Sequence, residues 1–433
     1  MLAINGGTPV LDENAIAPWP EVTDADREAV LRALDRSTPW RWPMTDVQEL
    51  EAAWAEHTGS RFAVAANSGT AALHMAVAAT TIGPGDEVLV PADTFLASAT
   101  CVLQANAVPV FVDVDPVTYT IDPSEIERHI TPRTRAIIAV DLNGLPADYD
   151  ALHAIARKHN LIIVEDGAQA HGATYRGRAV GSLGDLAGCS LNGSKCLSAL
   201  SEGGLFTTNN EEWHQNALRV LMFGDEIRGK TRAYNARIMG WNYRLHSLAA
   251  AFARSQLERL PAMSEVRSEN GNYLAKSLTD VPGVRPPTVP EGSTHVYFFF
   301  PLMVEPEALG LDVPVDAFRC AVKAAMRAEG VPLDEWQRMP VPGQTLFQEM
   351  RGYGRGCPWT CGHAAQGTRY DPDAYPVTRD ICRRRLVLGS STSSFGPPNG
   401  VDLMNGYAEA FHKVLVEHRA ELAELTTRFA TAH

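Results

Sequence analysis

From residue 60 to about residue 210, short runs of consecutive apolar residues alternate with stretches of helical character. "RFAVAANSG" leads into the alanine-rich "TAALHMAVAAT". "DEVLVPAD", "LASATCVLQAN", "VPVFVDVD", "PSEIERHI", "RAIIAVDL", "DALHAIARKHN" and "LIIVEDGA" then repeat the alternation. Continuous apolar strands separated by helices predict a parallel sheet covered on both faces. The residues that follow each strand are polar or glycine: "NSGT", "PADTF", "VDVD", "VDLNG" and "EDGAQAHG". In open parallel sheets ligands sit outside the carboxyl ends of the strands. A site is expected there.

After residue 242 the pattern changes. "YRLHSLAAAFARSQLERLPAMSEVRSENGNYLAKSL" predicts one long helix, and the Pro/Gly-rich joint "VPGVRPPTVPEG" follows it. A less regular portion with a helix at "PVDAFRCAVKAAMRAEG" comes next. We read two units, 1–255 and 256–433, the second smaller, with no internal repeat and no low-complexity tract.

Composition narrows the class. Of 433 residues, 45% are hydrophobic and 21% charged, the balance of a globular chain with a sizeable core. The net charge of −13 is spread along the chain, which argues against nucleic acid or an anionic membrane surface as main partner. Apolar runs such as "LIIV" and "VYFFFPLMV" are too short to span a bilayer. The N-terminus lacks a basic stretch followed by an apolar one, so no signal peptide is read. Seven cysteines at irregular spacing suggest reduced thiols, and a cytoplasmic protein is expected.

The candidate chemistry lies in five stretches: "NSGT" (67–70), "PADTF" (91–95), "EDGAQAHG" (165–172), "SLNGSK" (190–195) and "GWNYR" (240–244). Each has a bland reading. "NSGT" can be an N-cap with a glycine turn. A Phe after a strand usually packs in a core, and an Asp there often caps the next helix. Lys195 is harder to dismiss. It stands among small residues and hydroxyls in "GCSLNGSKCLSALSEGG", where no helix face or surface charge pattern calls for it.

Together, in this order, the stretches resemble the pyridoxal-phosphate aminotransferases of the DegT/DnrJ/EryC1/StrS family, which aminate keto sugars and cyclitols. The resemblance runs from "INGGTPV…PWP" to about residue 260 and weakly to the C-terminus. It implies an α/β architecture of the fold-type-I PLP-dependent aminotransferases: a mostly parallel central sheet flanked by helices, with a smaller C-terminal α+β domain. Residues 1–255 would then hold the large cofactor-binding domain. Lys195 matches the lysine whose amine joins the cofactor aldehyde and later moves protons. Asp166 matches the aspartate facing the pyridine nitrogen, where a carboxylate keeps the ring protonated. Gln169 falls near the phenolic oxygen, and Phe95 at the ring-stacking position. Ser68, Gly69 and Thr70, with Ser190 ahead of the lysine, fit the cofactor phosphate at a helix N-terminus. Asn242 matches an asparagine that reaches the phosphate of a neighbouring subunit, which implies a homodimer with shared sites. His171 reads equally as structural or functional. Arg244 either is structural or meets a substrate carboxylate.

By the same resemblance the amino donor is glutamate or glutamine and the acceptor a keto-cyclitol or keto sugar, in specialised-metabolite biosynthesis such as that of antibiotics. The "INGGTPV…PWP" start is nearer the branch acting on inososes and related free rings. Several stretches depart from the family pattern. "KCLSALSEGG" lacks a glycine and sets Glu202 one residue further from the lysine. "VDLNG" stands where a histidine is usual, and "SLNGSK" replaces a phenylalanine-rich version. These departures bear on the substrate. A PLP enzyme of elimination or cyclisation on the same scaffold, and a non-catalytic PLP-binding regulator, are the alternatives. No metal is expected: "CPWTCGH" offers Cys357, Cys361 and His363, short of the four ligands a structural zinc takes. That stretch reads as incidental loop cysteines or a substrate-facing loop, and "TPWRWPMTD" (38–46) equally as a wall against a polyol ring or as core packing. The basic stretches "EIRGKTRAYNAR" and "CRRR" could bind a diphosphate or be solvated faces.

Overall fold

The computed structural model describes residues 1–12, 14–36, 44–228, 231–364, 367–389 and 394–431. Strands β1 (Phe62–Ala66), β2 (Glu87–Pro91), β3 (Val108–Val112), β4 (Thr134–Val140) and β5 (Ile162–Asp166) run through the predicted apolar stretches. A small hairpin, β6 (Thr174–Tyr175) and β7 (Arg178–Ala179), precedes β8 (Leu186–Ser190) and β9 (Gly204–Thr208). The central sheet has the order β1-β9-β8-β5-β4-β2-β3. All pairings are parallel except the two made by β9, which alone runs against the rest.

The continuous hydrophobicity of these strands has a simple cause. In β2, Val88 and Val90 enter one core while Leu89 enters the other. In β4, Ala136, Ile138 and Val140 alternate in the same way with Ile137 and Ala139. Alternate side chains leave opposite faces of a strand, so burial on both sides requires apolar residues throughout. Helices α1 (Asp24–Asp35), α2 (Thr45–Thr58), α3 (Gly69–Ala79), α4 (Ala97–Gln104), α5 (Pro123–Ile126), α6 (Tyr149–His159) and α7 (Glu211–Leu221) flank the sheet or its edges. On one side α3, α4 and α7 bury Leu73, Val102 and Val220; on the other α6 buries Leu152 and Ala156.

A hairpin of β10 (Asp225–Arg228) and β11 (Thr231–Ala236) leads to helix α8 (Ser247–Leu278). The long helix starts later than the apolar pattern alone suggests. Residues 242 and 244 are held in bridges to Met222 and Ala66, and His246 Nδ1 accepts from Leu248 N at 3.2 Å to cap the helix. Helix α8 also carries the expected unit boundary at residue 255 within its span.

The smaller part centres on a three-stranded antiparallel sheet of β12 (Val284–Arg285), β13 (Phe300–Val304) and β14 (Arg385–Leu388). Helices α9 (Val315–Ala328), α10 (Thr345–Gln348), α11 (Pro376–Arg384), α12 (Val401–His412) and α13 (Arg419–Thr431) complete the chain. Phe318, Met404 and Leu415 join Leu302 and Leu388 in a core of their own. Phe347, Trp359 and Tyr370 instead pack against Phe111 of β3, in the core beneath the large sheet. Among the described residues, no helix is long and apolar enough to cross a membrane.

The expectation of reduced thiols needs one correction. Cys357 and Cys361 are joined in a disulfide across a tight turn, with Cα atoms 5.4 Å apart, while the other five cysteines are free. The spacing is short enough for the loop to bring the two Cβ atoms together. Their sulfurs are therefore committed to each other rather than to His363, which packs on Gly85.

Candidate active site

A cleft of about 460 Å³ opens at the carboxyl ends of β1, β2, β4, β5 and β8. Local structure delivers each group. Helix α3 begins as β1 ends, and Ser68 caps it by accepting from Ala71 N at 3.1 Å. Gly69 and Thr70 then line the cleft beside Ser190, the last residue of β8. The approach is close: a Cβ on Gly69 would lie 2.5 Å from Ser190 Cβ. Backbone amides at a helix start and nearby hydroxyls form a cradle for an anion.

Asp166 ends β5 and is buried. Its Oδ2 accepts from Ser98 Oγ at 2.6 Å and its Oδ1 from Ala168 N at 3.2 Å. Burial raises its pKa, against the pull of the Ser98 and Ala168 hydrogen bonds and of the Lys195 charge. Lys195 lies in the turn after β8, fixed by Lys195 N donating to Asn192 O at 2.9 Å and Lys195 O accepting from Trp19 Nε1 at 3.1 Å. Burial lowers its pKa to about 8, with Asp166, Cys196 and Glu202 opposing the shift. Its Nζ stands 4.2 Å from the centre of the Phe298 ring. Phe95, 56% exposed, faces the same cleft.

Gln169 is oriented from below. Its Oε1 accepts from Asn143 N at 2.7 Å, so its amide nitrogen is what it can offer the cleft. Asn143 holds a left-handed φ of 62°, a conformation asparagine tolerates better than most residues. Two residues earlier, Asp141 occupies the position where a histidine was expected. Its Oδ1 accepts from Ala147 N and Tyr149 Oη, each at 3.0 Å. Burial and the nearby Glu165 push its pKa well up. The same stretch meets the cleft at Val140, which lines it, and at Asn143 N, which holds Gln169.

The structure brings together Ser68, Gly69, Thr70, Phe95, Asp166, Gln169, Ser190 and Lys195 in one cleft. Glu202 joins them despite its shifted position, accepting from Asn192 Nδ2 at 2.8 Å. Other residues fall outside. Asn242 is absent from this chain's own cleft lining among the described residues; its carbonyl accepts from Asn67 Nδ2 at 3.3 Å. Arg244 lies over Phe223 and donates to Met222 Sδ. His171 is buried below the cleft, 5.9 Å from Trp54, its pKa lowered by burial to about 3. It is a neutral packing group. The disulfide loop is not part of this lining, and residues 38–43 of "TPWRWPMTD" lie outside the described residues.

Sequence reasoning missed Ser98, Phe298, Phe299 and Trp336. The last three form an aromatic wall of the same cleft, with the Phe299 and Trp336 rings 5.4 Å apart. For Phe298 and Phe299 the signal was the apolar run "VYFFFP", read only as too short to span a bilayer.

The sequence pattern of the DegT/DnrJ/EryC1/StrS aminotransferase family matches residues 21–366. An L-glutamine:2-deoxy-scyllo-inosose aminotransferase of Streptomyces fradiae is 34% identical over 98% of this chain and 99% of its own. A GDP-perosamine synthase of Caulobacter vibrioides is 38% identical over 65% of this chain and 75% of its own. The crystal structure of a 3-amino-5-hydroxybenzoic acid synthase superposes with a TM-score of 0.80 at 28% identity, covering 95% of this chain and 99% of that one.

Proposed function

The chain belongs to the DegT/DnrJ/EryC1/StrS aminotransferase family, and from that membership we propose that it transfers an amino group from glutamine or glutamate to a keto-cyclitol or free keto sugar in specialised-metabolite biosynthesis. Members of this family depend on pyridoxal phosphate, and the cleft suits that cofactor. Its anion cradle at α3 fits the phosphate. The carboxylate of Asp166, its pKa raised by burial, would gain a cationic partner in a protonated ring nitrogen. When bound, pyridoxal phosphate supplies an aldehyde that carries the amino group and a ring that draws electron density from the substrate carbon.

The chain's own residues do the rest. Lys195 would be the point of attachment, and its Nζ would take up and return a proton during amino transfer. Its lowered pKa leaves a large neutral fraction near physiological pH. The Phe298 ring against Nζ limits water there. Asp166, aimed by Ser98, keeps the ring nitrogen protonated, and Phe95 covers the ring face. Serine, glycine and threonine at the start of α3, with Ser190, hold the phosphate. The observation that carries this reading is the meeting of a lysine of lowered pKa, a buried carboxylate and a helix N-terminus in one cleft.

A free polyol ring as acceptor is supported by how the basic residues are used. Arg232 and Arg237 of the β10–β11 hairpin pair with Asp225 and Glu226. Of the "CRRR" stretch, Arg383 and Arg384 pair with Asp316 and Glu307, and Arg385 is buried against Asp93. These side chains are engaged within the chain, whereas a nucleotide diphosphate calls for free Arg or Lys; Lys230 and the Arg228 side chain lie outside what the structure describes. The aromatic wall of Phe298, Phe299 and Trp336 suits the apolar face of a ring. The functional unit in this reading is a cytoplasmic homodimer with Asn242 crossing to the partner's site. Phe223, Tyr234, Ile238 and Met239, all exposed on or beside the hairpin, are the surface that a second copy would cover. A panel of ketones, each offered with glutamine and with glutamate, tests the acceptor. Higher kcat/KM for inososes than for nucleotide-linked keto sugars supports the proposal, and the reverse order refutes it.

A further inference from the structure

Three consecutive residues of the loop after β2 are gripped from the smaller part of the chain. Ala92 O accepts from Val341 N at 2.9 Å, and Thr94 O accepts from Gln337 Nε2 at 2.8 Å. Between them, the Asp93 carboxylate takes both terminal nitrogens of Arg385, the second at 2.9 Å. Asp93 and Arg385 are 1% and 0% exposed. Arg385 opens β14 and reaches further: its Nη2 donates to Trp336 O at 3.2 Å, and its guanidinium lies 4.8 Å from the Trp336 ring.

Both ends of this clamp lead into the cleft. The residue after Thr94 is Phe95. Thr94 Oγ1 is 2.8 Å from Ser98 Oγ, which in turn donates to Asp166. On the other side, Trp336 lines the cleft next to Phe299. A fork-to-carboxylate pair fixes angle as well as distance, which apolar packing at the same place would not do. A buried charge pair is also an expensive way to obtain cohesion alone, since both ions lose their water.

We propose that the Asp93–Arg385 pair, with Gln337 and Val341 on either side, is a positioning device that sets Phe95 against the cofactor ring and Trp336 against the acceptor as one unit. The inference rests on the reading of Phe95 as the ring-stacking residue. It assigns Arg385 and Asp93 no contact with substrate.

The test reads cofactor binding rather than turnover. Purified enzyme is stripped, and pyridoxal phosphate is titrated back while its visible absorption is followed. The variants are Phe95→Leu, Gln337→Ala, Arg385→Lys and the Phe95→Leu/Gln337→Ala double. Gln337→Ala removes no buried charge, so it stays informative if Arg385→Lys folds poorly. Each single substitution is expected to raise Kd about tenfold, and the double also about tenfold rather than a hundredfold, because coupled residues are not additive. The proposal is overturned if Phe95→Leu weakens binding while Gln337→Ala and Arg385→Lys leave Kd within twofold, or if the double is multiplicative. An unchanged Kd for Phe95→Leu overturns the stacking reading and the proposal with it.

Discussion

In the proposed reading Lys195 carries the largest share of the chemistry, and its surroundings suit it to that role. An ammonium in a cleft roofed by Phe298 loses hydration, and its pKa falls from 10.5 to about 8. At pH 7.5 about a quarter of such an amine is neutral, against about a thousandth of an ordinary lysine. Protonation blocks the lone pair, so attachment of added pyridoxal phosphate to stripped enzyme is expected to speed up from pH 6.5, reach half its limit near pH 8 and level off above about pH 9. A rise that continues to pH 10 would show an unperturbed lysine. Lys195→Ala should abolish amino transfer and borohydride-fixable cofactor while the phosphate cradle still binds it; an active alanine variant would remove Lys195 from its role. Asp166→Asn keeps the shape but cannot pair a charged ring nitrogen. A charge-assisted hydrogen bond is worth about 1.5–3 kcal/mol, so kcat should fall about ten- to a hundredfold. Unchanged kcat would count against Asp166. That these two residues meet in one cleft was legible in the sequence because their signals are local: a strand end, a turn, a run of small residues. Ser98 looked like any residue of a helix start. Arg385 and Asp93 are 292 positions apart, and nothing in either neighbourhood announces the other.

Among the elements, β1, α3 and β8 meet closely at the head of the cleft. Gly69 must have no side chain because Ser190 occupies that space. Gly69→Ala should push the helix start away from the serine and raise the Kd for pyridoxal phosphate about tenfold or more, measured by the same titration. Binding as tight as in the parent would show that the phosphate is held elsewhere. The alternation of buried strands and helices was readable because both faces of the sheet are covered. The reversal of β9 was not, since a strand buried on both faces has the same composition in either direction. The late start of α8 escaped for a related reason. Residues 242–246 carry the helix period, but their backbone groups are already paired with Met222, Ala66 and Asn67. Tertiary hydrogen bonds overrode local pattern. The disulfide depended on a turn bringing Cys357 to Cys361, which spacing alone leaves open.

At the scale of the whole molecule, the proposal is that two copies share their sites. The exposed Tyr234 and Met239 beside Asn242, and the absence of Asn242 from this chain's own cleft lining, favour that arrangement. Inactive Lys195→Ala subunits mixed with inactive Asn242→Ala subunits should regain activity, since one site in a mixed dimer then has both native residues. No recovery despite proven subunit exchange would argue that each site is complete in one chain. The central claim, that this cleft moves an amino group to a ring ketone, is tested most directly by following the nitrogen itself. Holoenzyme is incubated with L-glutamine labelled with ¹⁵N at the α-amino group and with 2-deoxy-scyllo-inosose or a related polyol ketone, and the products are weighed by mass spectrometry. The account predicts an aminated ring carrying ¹⁵N, with no such product from the Lys195→Ala variant. A ring that stays unaminated with both glutamine and glutamate, across free and nucleotide-linked ketones alike, would contradict it.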